Sequence, residues 1–439
     1  MQTMPNTKID TIQLQNFRGI HRLDIDLDDS ITIFMGNNGA GKSSILDAIV
    51  ILLSWVIARV RHAGSSGRPI QEIDIHNQAK YSLLKLQLSS IENRDEIVQW
   101  QLVKGRAGVS KPTEGSELQS VSSYAKAIQN NLEQDQTLPI FVYYPVNRAV
   151  LDIPLRIRTK HSFDDPLEAH ADALTSGANF RHFFEWFRHR EDFENERKLE
   201  QLEQDAAIFI DKQLDAVRQA LQHFLPDLTE FKVRRGPLRL SAKKQGIEIQ
   251  VDQLSDGEKC LVAMIGDLAR RLAIANPQAS EPLKGFGVVL IDEIELHLHP
   301  AWQRSLIRQL AQTFPNCQFI LSTHSPQILG EVSGKNVRLL RSNEEGEVIC
   351  NTPDQALGLD SSEIIEELMN ATKRDSDTTK HLSYIFNLID EENFILARQE
   401  ISQLKERLNG SIPEIVRAEA LITMLDRDFV EDTLCDEDN

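Results

Sequence analysis

The segment that most restricts the fold of this chain is residues 36–43, Gly-Asn-Asn-Gly-Ala-Gly-Lys-Ser. It matches the pattern G-x-x-x-x-G-K-[ST], follows an apolar run at residues 31–35 and opens a helical pattern that continues to about residue 59. The glycines let backbone N–H groups turn inward, and the start of a helix favours bound anions. The residues predicted to hold phosphate groups are Asn37, Asn38, Gly39, Ala40, Gly41, Lys42, Ser43 and Ser44.

An acidic pair far along the chain complements this loop. Asp292 and Glu293 follow four apolar residues, 288–291, which read as a buried strand. We expect Asp292 and the Ser43 hydroxyl to hold Mg²⁺, Lys42 to contact the β- and γ-phosphates, and Glu293 to polarise an attacking water. Two acids that merely end a strand, beside a chance glycine-rich turn, are the alternative, and the pairing of the two segments disfavours it.

A third segment, residues 254–259, reads Leu-Ser-Asp-Gly-Glu-Lys and begins another helical pattern. Ser255 and the Gly257 amide would stand at the start of this helix, where a phosphate is favoured. Each copy of the chain already has its own phosphate loop, so this second helix end is available for the γ-phosphate of ATP bound to another copy. The sequence therefore predicts a homodimer, or a higher homo-oligomer, closed around ATP.

Together the three segments resemble the ABC-type ATPase heads of the SMC, RecF and OLD-nuclease group. The resemblance covers most of residues 8–341 and includes Leu14-x-x-Phe17-Arg18-Gly19. It implies ATP and Mg²⁺ as cofactors. In this resemblance Ser255 and Gly257 belong to the signature loop, Asp292 and Glu293 form the Walker B motif, and residues 295–300 form the D-loop. His324 corresponds to the switch histidine that senses the γ-phosphate. On this basis Glu293 and His324 are the expected catalytic residues.

The predicted fold is α/β: an ABC-type P-loop head with a mixed sheet, an antiparallel β subdomain and a helical insert, followed by an all-α domain. We expect the head at residues 1–341, with the insert at about 150–228, and the helical domain at 342–439. The insert shows helical periodicity for only about thirty residues, too short for a long coiled-coil arm.

Two departures from the group bear on function. Transporter signatures read Leu-Ser-Gly-Gly-Gln, whereas Asp256 and Glu258 place carboxylates here, which argues against a transport ATPase. The glutamine of the Q-loop is not assignable, because Gln99 and Gln101 lie in an unsuitable strand and residues 143–148 contain none.

Composition and charge limit the partners and the cellular location that we expect for the protein. The net charge is −18, but residues 343–439 carry 24 acidic and 8 basic side chains, so residues 1–342 are nearly balanced. An acidic tail repels phosphates and disfavours direct nucleic-acid binding there. No apolar run approaches the ~20 residues of a membrane span, the four cysteines are scattered and residues 1–7 lack a signal core. We expect a reduced, cytoplasmic protein with no membrane partner.

Basic residues cluster in two places, which leaves a second function open. One set lies before the signature and the other lies among aromatic residues of the insert: Lys232, Arg234, Arg235, Arg239, Lys243 and Lys244, then Arg181, Arg188, Arg190 and Arg197. They would suit a RecF-like DNA-repair ATPase that acts directly on DNA. A salt-bridged, solvated face is an equal alternative, because acids are interspersed. A metal cluster of His297, His299 and His324 is disfavoured, since histidines of this kind occur in D-loops of the group.

The tail discriminates best between these functions. Residues 364–369, 382–397 and 404–408 resemble short TPR-like helical repeats, which commonly bind proteins. A head without a long coil or a Toprim nuclease, followed by an acidic helical tail, resembles the PtuA family of ATPases from Septu and retron-associated antiphage systems. The pattern Tyr143-Tyr144-x-x-Asn147-Arg148 adds to the likeness. The resemblance to this family implies an ATPase with no nuclease activity of its own, an HNH nuclease partner (PtuB-like), and contact with nucleic acid only through the complex.

Overall fold

The computed structural model describes residues 7–91, 94–110, 112–135, 137–146, 165–175, 180–203, 209–371 and 374–435. The strands in this part of the chain are β1 Thr7–Phe17, β2 Ile20–Asp26, β3 Ile31–Gly36, β4 Tyr81–Ser90, β5 Ile97–Gly105, β6 Ile140–Tyr144, β7 Leu228–Arg235, β8 Leu238–Lys244, β9 Ile247–Gln250, β10 Gly287–Ile291, β11 Cys317–Thr323, β12 Val337–Ser342 and β13 Val348–Asn351. The helices are α1 Lys42–Arg61, α2 Gln119–Asp135, α3 Phe180–Glu203, α4 Lys212–Phe224, α5 Asp256–Ala275, α6 Pro300–Thr313, α7 Pro326–Leu329, α8 Ser361–Glu363, α9 Ser376–Asp390, α10 Phe394–Leu408 and α11 Pro413–Cys435.

The central sheet has six strands in the order β13-β12-β3-β11-β10-β6. Five of them run parallel, and only β13 is antiparallel to its neighbour. Parallel strands end at the same edge, so β3, β11, β10 and β6 bring Gly36, Thr323, Ile291 and Tyr144 together there. Ligands bind at this edge in open α/β sheets. The predicted α/β P-loop head is confirmed.

The helix that follows the glycine-rich loop is part of the hydrophobic core. Most apolar side chains of α1 are fully buried, and each contributes about 1.5–3 kcal/mol to the stability of the fold. The sequence analysis expects no apolar run near the length of a membrane span, but α1, with 20 residues, is long and apolar enough for one and is the single such helix among the described residues. Its contacts with β1, β3, β4, β6 and β11 place it inside the head.

Two antiparallel sheets complete the head. The first has the order β2-β1-β4-β5 and forms the antiparallel β subdomain that the sequence predicts. The second has the order β7-β8-β9, whereas the alternating pattern of residues 231–240 and 246–251 predicts a hairpin of two strands. The chain instead turns at Gly236 and Pro237, so that Arg235 pairs with Leu238 and the segment contributes two strands.

The insert and the helix that begins at the signature form the layer beside β6. Helix α5 contacts α3, α4 and the 3₁₀ turn Pro166–His170. The aromatic residues of α3 face inward, since Phe180, Phe183 and Trp186 are at most 1% exposed. The predicted helical insert is therefore present within the described residues; its expected start near residue 150, together with Asn147 and Arg148, lies outside them.

The chain divides into two compact units, residues 1–364 and 365–439. We predicted the boundary after residue 341, because the amphipathic helical pattern begins near there. Strand β13 explains the difference: Val348–Asn351 pairs with β12 and extends the central sheet. Within the second unit, α9, α10 and α11 pack around an apolar cluster of Leu382, Ile385, Leu388, Ile389, Ala397, Ile401, Leu404, Ile415, Ala418 and Ile422.

Candidate nucleotide-binding site

The loop between β3 and α1 has the backbone of a phosphate cradle. Gly39 and Gly41 have φ values of +82° and +97°, a region that residues with a side chain rarely enter. The first hydrogen bond of α1 runs from the Ile45 N–H to the Gly41 carbonyl at 2.9 Å. The N–H groups of Lys42, Ser43 and Ser44 precede it and have no acceptor within the helix. The remaining predicted binding residues, Asn37, Asn38 and Ala40, lie in the same loop.

Lys42 is held inside this loop. Its side chain is buried, and Nζ donates to the carbonyl oxygens of Gly36 at 2.8 Å and Asn37 at 3.2 Å. Burial lowers the pKa of the ammonium group. Nearby carboxylates act in the opposite direction and favour its charged form: Asp292, Glu293 and Glu295. The structure thus brings the loop and the acidic pair to one place, as the sequence analysis predicts.

The acidic pair follows β10, at the edge where β6 and β11 also end. The Asp292 N–H donates to the Tyr144 carbonyl at 2.9 Å, and the Asp292 carboxylate accepts a short hydrogen bond from the Ser322 hydroxyl. The same hydroxyl accepts from the Glu293 N–H at 2.7 Å. Glu293 has a φ of +46°, so the chain turns sharply at this residue. Ser322 on β11 therefore fixes both acidic residues.

Glu295 organises the next part of the site. Its carboxylate accepts from the Thr323 hydroxyl at 2.8 Å and from the His324 N–H at 2.5 Å. These bonds join the segment after β10 to the segment after β11, where His324 stands half-buried. The predicted switch histidine thus lies beside Glu295, two residues beyond the acidic pair. The sequence analysis placed Glu295 in the D-loop but did not identify this contact.

The signature forms a separate cleft of about 670 Å³. Ser255 caps α5 in a capping box: Glu258 Oε2 accepts from its N–H at 2.9 Å and from its hydroxyl at 2.7 Å. Lys244 Nζ donates to the other oxygen, Glu258 Oε1, at 2.6 Å. The cleft is lined further by Gly257, His297, His299 and Trp302. Glu258, one of the two carboxylates that depart from the transporter pattern, is therefore neutralised by a lysine and caps the helix.

Gly257 has a packing requirement of its own. A Cβ atom at this position would lie 2.6 Å from the carbonyl oxygen of His297. His297 has a φ of +64° and is exposed, as is His299, which caps α6 through its ring Nδ1. Among the described residues, no group of three or more His, Cys, Asp or Glu side chains could hold a metal ion, so the three histidines form no such cluster.

One ionic group near the loop was not identified from the sequence. Asp47, on α1, pairs with Arg18 and accepts two hydrogen bonds from Arg68, at 2.6 and 3.1 Å. Arg18 also donates to Asp74 at 2.9 Å. Only the Phe-Arg-Gly similarity pointed to Arg18. Its acidic partners lie 29 and 56 residues away in sequence, too far for spacing to predict the contacts.

Most of the basic residues before the signature are in ion pairs. The pairs are Lys232 with Glu230 and Glu248, Arg234 with Glu248, Arg235 with Glu191 and Asp192, Lys243 with Glu230, and Lys244 with Glu258. In the insert Arg188 pairs with Asp192, Arg190 with Asp211 and Arg197 with Glu200. These contacts correspond to the salt-bridged face that the sequence analysis kept as an alternative.

Comparison with known proteins agrees with this geometry. The family described as AAA domain matches residues 11–254, and the AAA ATPase domain family matches residues 188–329. The chain is 32% identical to the retron Vc95 probable ATPase of Vibrio cholerae serotype O1 biovar El Tor, over 76% of this chain and 73% of that protein.

Two further relatives match over most of their length. The retron Ec83 probable ATPase of Escherichia coli is 29% identical over 88% of this chain and 81% of its own. Septu protein PtuA of Bacillus thuringiensis is more distant, at 23% identity over 88% of this chain and 90% of its own. With the AAA domain matching more than half of the chain and the Vc95 protein aligned over most of its length, the chain belongs to the AAA-type P-loop ATPase family that includes the retron Vc95 ATPase.

Proposed function

We propose that this chain is the ATPase of an antiphage defence complex, in which two copies close around two ATP molecules and gate a separately encoded HNH nuclease. The relationship to the probable ATPases of two retrons and to a Septu protein supports the defence role. The helical second unit, which resembles protein-binding repeats, supports a protein partner. We propose the cytoplasm as its location.

The main support for a dimer is that one head has two candidate phosphate sites with different neighbours, one at Lys42 and one at the start of α5. Asp292, Glu293 and Glu295 lie close enough to Lys42 to favour its charged form. Gly257 instead lies against His297 and Trp302, and the side chain of Ser255 bonds to Glu258. A phosphate at the start of α5 would therefore belong to a nucleotide held by the loop of a second copy.

The residues of the loop fit Mg-ATP. The inward N–H groups and Lys42 would hold the β- and γ-phosphates. Mg²⁺ is commonly held by one or two carboxylates together with phosphate oxygens, and Asp292 and the Ser43 hydroxyl are suitable oxygen donors. When bound, the metal would supply charge neutralisation. Glu293 would orient the attacking water, and His324, held by Glu295, would respond to the γ-phosphate.

Glu293→Gln tests the sandwich directly. Removing the negative charge from this side chain should slow hydrolysis while the phosphate loop stays intact, so ATP-bound dimers should accumulate. We expect the variant to elute as a dimer with Mg-ATP and as a smaller species without nucleotide, measured by size-exclusion chromatography with light scattering. The double variant Lys42→Ala, Glu293→Gln is the matched control and should not respond to ATP. A Glu293→Gln protein whose mass is unchanged by ATP contradicts the sandwich.

The partner is tested by purifying tagged Glu293→Gln protein expressed from its native locus. The proposal expects an HNH protein in fixed stoichiometry with the ATPase. Recovery of the ATPase alone and bound to DNA would contradict it and favour the RecF-like alternative. In that case charge reversal at Arg235, Lys243 and Lys244 should abolish the binding.

A further inference from the structure

A cluster of charged side chains is buried behind the acidic pair, and the function proposed above does not use it. Asp267, on α5, is fully buried and accepts from Arg270 Nη2 and Arg271 Nε, each at 2.7 Å. The Tyr144 hydroxyl donates to the same carboxylate at 3.0 Å. All four side chains are at most 2% exposed.

The electrostatics of the cluster keep Asp267 charged. Burial alone would raise the pKa of this carboxyl, but Arg271 and then Arg270 outweigh it, so the pKa lies below its ordinary value. A buried charge of this kind keeps its geometry only while every partner stays in place. We conclude that the cluster fixes the position of Tyr144 relative to α5.

Tyr144 extends the connection to the nucleotide site. It is the last residue of β6 and pairs with Ile291, the last residue of β10. Its carbonyl oxygen accepts from the Asp292 N–H at 2.9 Å. Tyr144 therefore contacts α5 through its hydroxyl and Asp292, the candidate metal ligand, through its backbone carbonyl.

The other end of α5 carries the signature. The helix is continuous from Asp256 to Ala275, with Ser255 as its cap. A phosphate bound at Ser255 and Gly257 would favour one position of this helix. Asp267 lies on the same helix, so that preference would reach Tyr144 and then Asp292.

We propose that Tyr144 and Asp267 are positioning residues, which hold Asp292 in the geometry that Mg²⁺ binding and ATP hydrolysis require. The geometry that they hold depends on the position of α5, the helix that begins at the signature. The inference rests on the proposed function, since it assigns Asp292 to the metal and the signature to a partner's phosphate. It adds a connection between these two places within one head.

Tyr144→Phe tests the positioning role, because it removes only the hydroxyl and leaves the backbone bond to Asp292. We expect kcat to fall about tenfold, the effect of a hydrogen bond to a charged group, with KM for ATP unchanged. The Mg²⁺ concentration for half-maximal rate should rise, and the thermal stabilisation that Mg²⁺ adds to bound ADP should shrink.

Tyr124→Phe is the matched control. Tyr124 is also a buried tyrosine of the head, and its hydroxyl bonds to Thr7, outside the cluster. This variant should lose comparable thermal stability and keep wild-type kcat and Mg²⁺ dependence. If Tyr144→Phe behaves like Tyr124→Phe, the cluster is merely structural and the inference is overturned.

A double-mutant cycle tests the link to the signature. Ser255→Ala should reduce the rate in the wild-type background and reduce it much less in the Tyr144→Phe background. Independent effects that multiply would refute the connection. If Ser255→Ala has no effect and ATP fails to dimerise Glu293→Gln, the sandwich fails, while the Mg²⁺ readouts of Tyr144→Phe still decide the positioning role.

Discussion

At the scale of single residues, the site depends on polar groups held by neighbours on adjacent strands. Ser322 bonds to Asp292 and Glu293, and Glu295 bonds to the Thr323 hydroxyl and the backbone of His324. The motifs of the sequence predict the acidic residues and the lysine. They do not predict Ser322, because its place opposite Asp292 depends on the parallel register of β10 and β11.

Lys42→Ala should remove ATP binding. The variant loses a charged donor to the phosphates, and hydrogen bonds of this kind contribute about 1.5–3 kcal/mol each, so Kd should rise at least ten- to hundredfold. Titration with a fluorescent ATP analogue measures the change. Lys243→Ala, which removes a half-buried lysine paired with Glu230, is the control and should bind as the wild type does. Equal affinities for the two variants would contradict the assigned role of Lys42.

The buried ring of His170 should make the free energy of unfolding depend on pH. Its ring is buried, and burial together with Arg61 and Arg271 lowers its pKa to about 3 despite a hydrogen bond to the Pro139 carbonyl. The unfolded chain would take up this proton near pH 6.5, whereas the folded chain would not, so stability falls as the pH falls below 6.5. Between pH 7.5 and 5.5 the contribution of His170 to the free energy of unfolding should decrease by roughly 1 kcal/mol.

The matched variant for this effect is His170→Gln, which keeps a side-chain N–H donor and cannot titrate in this range. Urea unfolding at pH 7.5 and 5.5 should show a smaller loss for the variant than for the wild type. Identical losses for the two proteins would mean that His170 is protonated in the folded state.

At the scale of secondary structure elements, strongly patterned segments were predictable. The buried strand predicted at residues 288–291 is present as Gly287–Ile291, and the helical pattern predicted to begin within residues 254–259 begins at Asp256. Weakly patterned segments were not predictable. Strand β13 has only four residues, and the apolar–polar alternation continues across the tight turn at Gly236, so the pattern does not show where one strand ends and the next begins. The capping box of Ser255 and Glu258 follows the known spacing, but the contribution of Lys244 needs the register of β8.

Gly257→Ala should separate the signature from the D-loop. The added Cβ would lie 2.6 Å from the His297 carbonyl, and overpacking of this kind costs about 1–3 kcal/mol. We expect ATP-dependent dimerisation to weaken about ten- to hundredfold while nucleotide binding to the monomer is unchanged. Analytical ultracentrifugation of the variant in the Glu293→Gln background measures the dimer. Gly115→Ala, at a position with open space around the Cβ, is the control. Unweakened dimerisation would show that this close approach is not needed.

At the scale of the whole molecule, the chain is a nucleotide-binding head followed by an independent helical unit. The sequence predicts a head followed by a helical domain that begins at residue 342. The compact units divide at residue 364 instead, because the short strand β13 returns to the sheet and the helical pattern gives no signal for it. The acidic charge of the tail was evident from composition, and the division into two units suggests that its removal should spare the head.

A chain that ends at residue 371 should therefore keep ATP-dependent dimerisation and hydrolysis, since α9–α11 form their own apolar cluster. Steady-state ATPase assays and light scattering compare it with the full chain. Loss of ATP hydrolysis from a truncated protein with an unchanged head melting temperature would show that the second unit contributes to the site.

The central claim is that each ATP site combines the loop of one copy with the signature of another, and mixing two inactive variants tests it most directly. Lys42→Ala removes the loop function, and Gly257→Asp places a repelling carboxylate at the signature, so each protein alone should be inactive. A mixed dimer contains one intact site, made by the loop of the Gly257→Asp copy and the signature of the Lys42→Ala copy. We predict that the mixture hydrolyses ATP well above the sum of the separate proteins. A rate equal to that sum, in a mixture shown to contain mixed dimers, would contradict the account.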